Sequence, residues 1–259
     1  MKTLLLLLAT FALIMGCLSF NADKNTAGPI ALTAINFRPI AIVELYTSQG
    51  CSSCPSADKL LSQTIETAKI EGSNVFALSF HVDYWNGLGW KDPFSIPEFS
   101  ARQRKYAQKL SLNSVYTPQM IVNGNVEFVG SDKPKLRNAI EKSLSTTPEA
   151  AFKILATTII PGAPVKVRYA IDGNFKGSLI NFAMVSLRET TSIKRGENEG
   201  ITLTNENVVR QFISIAATAK GEISFSNTPT PSKDNIAIVA YIQNPVNLKI
   251  IGAARAELQ

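Results

Sequence analysis

Histidine and cysteine are scarce in this chain: one histidine, His81, and three cysteines, Cys17, Cys51 and Cys54, among 259 residues. With no second cysteine pair, a tetrahedral Cys/His zinc site cannot be filled without carboxylates or a partner chain. Charge is thin as well. Only 18% of residues are charged, and the net +6 is scattered, with no run of Lys and Arg interleaved with aromatics, which argues against a nucleic-acid surface. Low-complexity tracts and solenoid repeats are absent, and beyond the N-terminal leader no apolar run is long enough to cross a bilayer. Against these absences stands a hydrophobic content of 45%, which suits a folded protein of one large or two small domains over residues 40–259.

The leader itself is informative. Lys2 is the only charge before Asp23, and residues 3–15 form a leucine-rich core too short to span a bilayer as a mature helix, so the segment reads as a secretory signal. It ends in Ile14-Met15-Gly16-Cys17, which resembles a bacterial lipobox, with Met15 an unusual occupant of its position. Residues 1–17 are therefore expected to be a signal peptide of lipoprotein type, Cys17 the lipidated residue, and residues 18–39 a linker. That places the folded part in the cell envelope, held to a membrane by lipid and exposed to the periplasm or the cell surface, where a disulfide persists.

Gly50-Cys51-Ser52-Ser53-Cys54-Pro55 is the stretch that carries chemistry. Residues 40–46 before it are apolar and rich in β-branched and aromatic side chains, which reads as a buried strand. After it, Ala57, Leu60, Leu61, Ile65 and Ala68 recur at helical spacing, and Pro55 suits a first helical turn. Two thiols thus sit at a strand-to-helix junction, where the partial positive charge of a helix N-terminus favours thiolate. Cys51 is the expected nucleophile and Cys54 the resolving thiol; the bland alternatives are a structural bridge or half a metal site.

Further along, residues 75–82 read as a second strand, 98–110 as a polar helix, 115–124 as a proline-led strand ending in a glycine turn, 126–129 as its hairpin partner, and 133–144 as a helix. Glu44 to Asp58, His81-Val82-Asp83-Tyr84-Trp85-Asn86, Gly89-Trp90-Lys91-Asp92-Pro93, Arg102 to Ala107 and Val115-Tyr116-Thr117-Pro118-Gln119-Met120 resemble the successive signatures of a bacterial family of secreted thioredoxin-like proteins of unknown function. The resemblance implies a thioredoxin-like fold over residues 40–147, with Pro118 in cis beside the dithiol and Thr117 contacting substrate. It also implies a buried acid beneath the cysteines. Glu44 is the candidate, but it lies one residue upstream of the usual position, and a shift of one turns a strand residue to the other face.

His81, at the carboxyl end of its strand, falls on the edge where Cys51 lies, and would either support the thiolate or stay packed in the core. Trp85 and Trp90, with Asp83, Lys91 and Asp92, would form a cap over the redox site or a loop folded on itself. Arg102, Gln103 and Arg104 would be a helix surface or an anion contact. After Thr147-Pro148 the texture changes to successive strands, which predicts an all-β antiparallel sandwich-like domain over residues 148–259, with residues 194–200 an exposed loop. The fold class is then an α/β thioredoxin-like fold followed by an all-β domain. The leading function is an exported thiol:disulfide oxidoreductase exchanging disulfides with protein thiols and recharged by a separate redox partner; it needs no cofactor. The rivals are a copper-binding delivery module using Cys51, Cys54 and His81, and a non-catalytic surface lipoprotein.

Overall fold

A computed structural model describes residues 37–158, 160, 163–226 and 235–257. The expected signal peptide, the lipidation site Cys17 and most of the linker lie outside the described residues. The elements run β1 (Ala41–Thr47), α1 (Cys54–Glu71), β2 (Val75–His81), α2 (Pro97–Lys109), β3 (Gln119–Val122), β4 (Val126–Val129), α3 (Lys133–Leu144), β5 (Ala150–Thr158), β6 (Lys166–Gly173), β7 (Leu179–Ser192), β8 (Thr202–Ala216), β9 (Lys220–Ser224), β10 (Ile236–Gln243) and β11 (Ile250–Glu257).

Eight strands form one mixed sheet in the order β11-β10-β7-β8-β2-β1-β3-β4, and three form a second, β5-β6-β9. This corrects the expected α/β thioredoxin-like fold followed by an all-β sandwich-like domain. A separate sandwich domain would pair its strands only with one another, but here β2 leaves a parallel edge free and β8 takes it, with Ser79 paired to Val208. Beside that pair Asn207, at φ 46°, donates its side-chain N–H to the Ala77 carbonyl at 2.9 Å and stands in for a ladder bond. The strands of the second half are therefore extensions of the first half's sheet. A second tie lies at Gly124, whose φ of +75° and approach to Leu248 leave no room for a side chain: a Cβ there would sit 1.9 Å from the Leu248 carbonyl oxygen.

Core distribution follows from strand parity. Along β1, Ala41, Val43 and Leu45 pack against Ala57, Leu60 and Leu61 of α1 and Leu136 of α3. Ile42 and Tyr46 face the other way, toward Phe99 and Tyr106 of α2 and toward Val209, Val239 and Tyr241 of the second half. All seven β1 residues are buried, because both faces are covered. The same reasoning explains the unbroken apolar run of β10: Val239 and Tyr241 join the α2 side, whereas Ile238, Ala240 and Ile242 pack against Phe152, Val167, Tyr169 and Ile223 of the small sheet.

Candidate functional site

The chain leaves β1 at Thr47, turns through Ser48-Gln49-Gly50, and enters α1 at Cys54 with Pro55 in the first turn. The turn is held by Cys51 N–H to Ser48 C=O at 3.2 Å and Gly50 N–H to Ser48 Oγ at 3.1 Å. Cys51 and Cys54 form a disulfide, with Cα atoms 5.4 Å apart. Both cysteines are fully buried, while Ser52 and Ser53 between them are exposed. The Ser53 hydroxyl lies 3.3 Å from Cys51 Sγ.

Most of the residues singled out in the sequence converge here. The Trp85 indole N–H donates to Thr117 Oγ1 at 2.7 Å, and the Cβ of Trp85 lies 3.4 Å from where a Cβ on Gly50 would sit. The Trp90 indole N–H donates to Gln49 Oε1 at 3.3 Å. The Thr117-Pro118 bond is cis. Pro118 packs with Leu45 and Ala57 around Gly130, whose N–H donates to the Pro118 carbonyl at 2.8 Å.

His81 is fully buried, its Nδ1 2.7 Å from Asp92 Oδ2. The same oxygen accepts the Gln49 N–H at 2.8 Å, so the imidazole is linked to the dithiol turn through one carboxylate. Burial acts to lower the His81 pKa, but the Asp92 carboxylate and its hydrogen bond, helped by Asp58, outweigh it and raise the pKa above the usual value. Among the described residues no three or more His, Cys, Asp and Glu side chains are grouped to hold a metal ion.

Glu44 is not beneath the cysteines. Strand parity turns it to the α2 face, where its Oε1 accepts from Arg102 Nη2 at 2.7 Å and from the Tyr241 hydroxyl. Arg102 also reaches the hydroxyls of Tyr106 and Tyr241 at 3.0 Å and Gln243 Oε1 at 3.1 Å. Gln103 is fully buried and donates to the Tyr116 carbonyl at 2.7 Å and to Gln119 Oε1 at 2.8 Å. Arg102 and Gln103 thus belong to the core, not to a helix surface or an anion contact.

The buried acid on the dithiol side is Asp58, which the sequence reading passed over. It lies one helical turn beyond Cys54, on the same stripe as Ala57 and Leu61, and is only 6% exposed. Its Oδ2 accepts from Thr47 Oγ1 at 3.3 Å, and Thr47 is paired with His81 across β1 and β2. Burial drives its pKa up to about 7, against the opposing pull of His81 and of hydrogen bonds from Thr47 and Asn205. Asp58 Oδ1 and His81 Nε2 are both buried without a hydrogen-bond partner. Asp58 also borders a groove between α1 and β8 lined by Pro55, Ser62, Thr204 and Asn207. The legible signal was a carboxylate on an otherwise apolar helix stripe.

A pH-dependent stability follows. Asp58 titrates higher in the folded chain than unfolded, so folding takes up a proton between these values; the benefit is complete below about pH 4 and is lost as pH rises through about 7. Asp58→Asn removes that dependence. Relative to the parent, the variant should gain up to about 4 kcal/mol between about pH 4 and pH 8, read by guanidinium unfolding of the oxidised chain. A difference that is flat with pH would show an ordinary carboxylate.

Residues 194–200, expected as an exposed loop, supply two further site residues. Asn198 is 2% exposed and donates its side-chain N–H groups to the carbonyls of Gln49 at 2.9 Å and Cys51 at 3.0 Å. Glu197 Oε2 accepts the Ser52 N–H at 3.0 Å. Gln49 is the hub of the turn: besides Asp92, Trp90 and Asn198, it binds Asn205 Oδ1 at 3.0 Å and Thr191 Oγ1 at 3.1 Å through its side-chain nitrogen. No local pattern foretold these, because the partners lie more than a hundred residues apart.

Residues 42–243 match the family described as protein of unknown function (DUF1223). No curated protein matches the chain. Among solved structures, one from Agrobacterium tumefaciens aligns at 25% identity and a TM-score of 0.66, covering 86% of this chain and 96% of that one. HBP35 of Porphyromonas gingivalis aligns at 16% identity and a TM-score of 0.60, covering 86% and 76%, a likeness of fold alone.

Proposed function

We propose that this chain, which belongs to the DUF1223 family of unknown function, is an exported thiol:disulfide oxidoreductase, tethered through Cys17, that exchanges disulfides with protein thiols at Cys51 and Cys54. The observation that carries the reading is the Cys51–Cys54 disulfide at the start of α1 with a buried, high-pKa carboxyl one turn along the same helix face. A structural bridge has no use for such a group. Reduction of a disulfide takes up two electrons and two protons, and a buried Cys54 needs one of those protons delivered.

In the oxidising direction a substrate thiolate attacks Cys51 Sγ, the Cys51–Cys54 bond breaks, and Cys54 leaves as a thiolate that Asp58 protonates. A second substrate thiol then attacks the substrate sulfur of the mixed disulfide. Cys51 departs, leaving an oxidised substrate and two protein thiols. The reducing direction runs the same steps backward. A redox partner returns the pair to its starting state.

The test is the equilibrium between the full chain and glutathione or dithiothreitol redox buffers, read by mass spectrometry of alkylated thiols. A potential near or above about −200 mV with rapid exchange is expected. A value below about −300 mV with slow exchange would mark a structural bridge and end the proposal.

A further inference from the structure

The β7–β8 hairpin is paired from Leu179 and Ala216 out to Ser192 and Thr202, and its tip reaches the dithiol turn. Three backbone groups around Cys51 are occupied by side chains of that tip: the Gln49 and Cys51 carbonyls by Asn198, and the Ser52 N–H by Glu197. The tip is a folded unit of its own, closed by Ile193 N–H to Ile201 C=O at 2.9 Å and Gly200 N–H to Ile193 C=O at 3.0 Å. Gly196 and Gly200, both at φ 83°, flank the two contacting residues. Gly196 also lies against Trp90, whose Cβ is 3.2 Å from where a Cβ on that glycine would be, and against Gly89.

The Gln49 and Cys51 carbonyls, two residues apart and both bound by one amide, are acceptors of the kind that the N–H groups of an extended polypeptide satisfy, whereas the Ser52 N–H shares a trans peptide with the Cys51 carbonyl and points the other way. Side chains now fill those positions, and Cys51 Sγ is buried while they do. Attack on a disulfide requires a thiolate to reach the sulfur, so the closed tip and a bound substrate compete. The contacts are unequal: Glu197 is open to solvent, whereas Asn198 is buried. The carboxylate can therefore release first.

We propose that residues 196–200 are a latch over the dithiol, and that the partner which opens it is an extended cysteine-bearing polypeptide segment whose backbone N–H groups take over the Gln49 and Cys51 carbonyls from Asn198 once Glu197 has released the Ser52 N–H. This rests on the redox reading of Cys51 and Cys54 for its biological use, but the gating is a property of access and is measured separately.

The experiment compares the full oxidised chain with Glu197→Ala and Asn198→Ala. Each is reduced by dithiothreitol and, separately, by a linear peptide carrying one cysteine. Dithiothreitol attacks Cys51, releases Cys54 and closes to its cyclic disulfide; the peptide thiol stops at the mixed disulfide. With the latch weakened, the dithiothreitol rate should rise about tenfold in Asn198→Ala and about threefold in Glu197→Ala, and the parent's preference for the peptide over dithiothreitol should shrink. Rates within twofold of the parent in Glu197→Ala, whose side chain is exposed to solvent, would overturn the latch, whatever Asn198→Ala does. Faster reduction in both variants, in a chain whose disulfide the redox-buffer titration marks as a structural bridge, would end the oxidoreductase reading and leave the latch standing.

Discussion

Cys54→Ser is expected to turn a transient covalent intermediate into a stable one, and Cys51→Ser to give none. In the proposed chemistry Cys51 attacks an oxidised partner and Cys54 releases it; a serine hydroxyl cannot attack a disulfide at neutral pH, so the adduct has no exit. Incubated with glutathione disulfide, Cys54→Ser should accumulate one glutathionyl group per chain on Cys51. Turnover with a dithiol substrate should fall at least about a thousandfold in both variants. Both also lose the same small-loop disulfide, whose chain-entropy contribution for a four-residue loop is about 2 kcal/mol. Loss of stability therefore acts equally on both, and an asymmetric adduct can only reflect different chemical roles. Equal modification of the two variants would show that Cys51 and Cys54 are interchangeable, which a nucleophile and a resolving thiol are not.

How much of this was legible depends on the distance over which each feature is specified. The strand before the dithiol, the helix after it and α3 were readable because apolar periodicity and proline placement are local; β4 lies where the sequence put it, at Val126–Val129. β8 carries a continuous apolar pattern only from Val208; Thr202 to Asn207 is mostly polar and includes the left-handed Asn207. Those are the residues that lead into the β2–β8 seam. Pairing between strands 130 residues apart leaves no periodic trace, so a continuous sheet looked like two domains. Asn198 and Asn205 follow the same rule: their residue types are unremarkable, and only the fold brings them to Gln49. Glu44 is the opposite case. Period-two alternation already warned that it faces away from α1, and the structure puts it against α2.

That placement sets the largest stability effect expected outside the disulfide. Arg102 lies among the rings of Phe80, Tyr106, Phe212 and Tyr241, with its guanidinium carbon 4.8 to 5.9 Å from their centroids. Its paired Glu44 is 1% exposed. Burial alone would push the Arg102 pKa down; Glu44, with the surrounding tyrosines, holds it well above the usual value, so the guanidinium stays charged. Arg102→Leu strands a buried carboxylate and should cost about 3–5 kcal/mol in denaturant unfolding. Replacing both, as Glu44→Leu with Arg102→Leu, removes the uncompensated charge and should recover much of that loss, because two apolar side chains suit a core already built from Ile42, Phe80 and Val239. The dithiol lies across the sheet, so its potential and the pH profile of Cys51 alkylation should be unchanged in the double variant. A shifted profile there would mean that Glu44, rather than Asp58, handles the proton of the resolving thiol, and the division of labour between the two faces of β1 would be reversed.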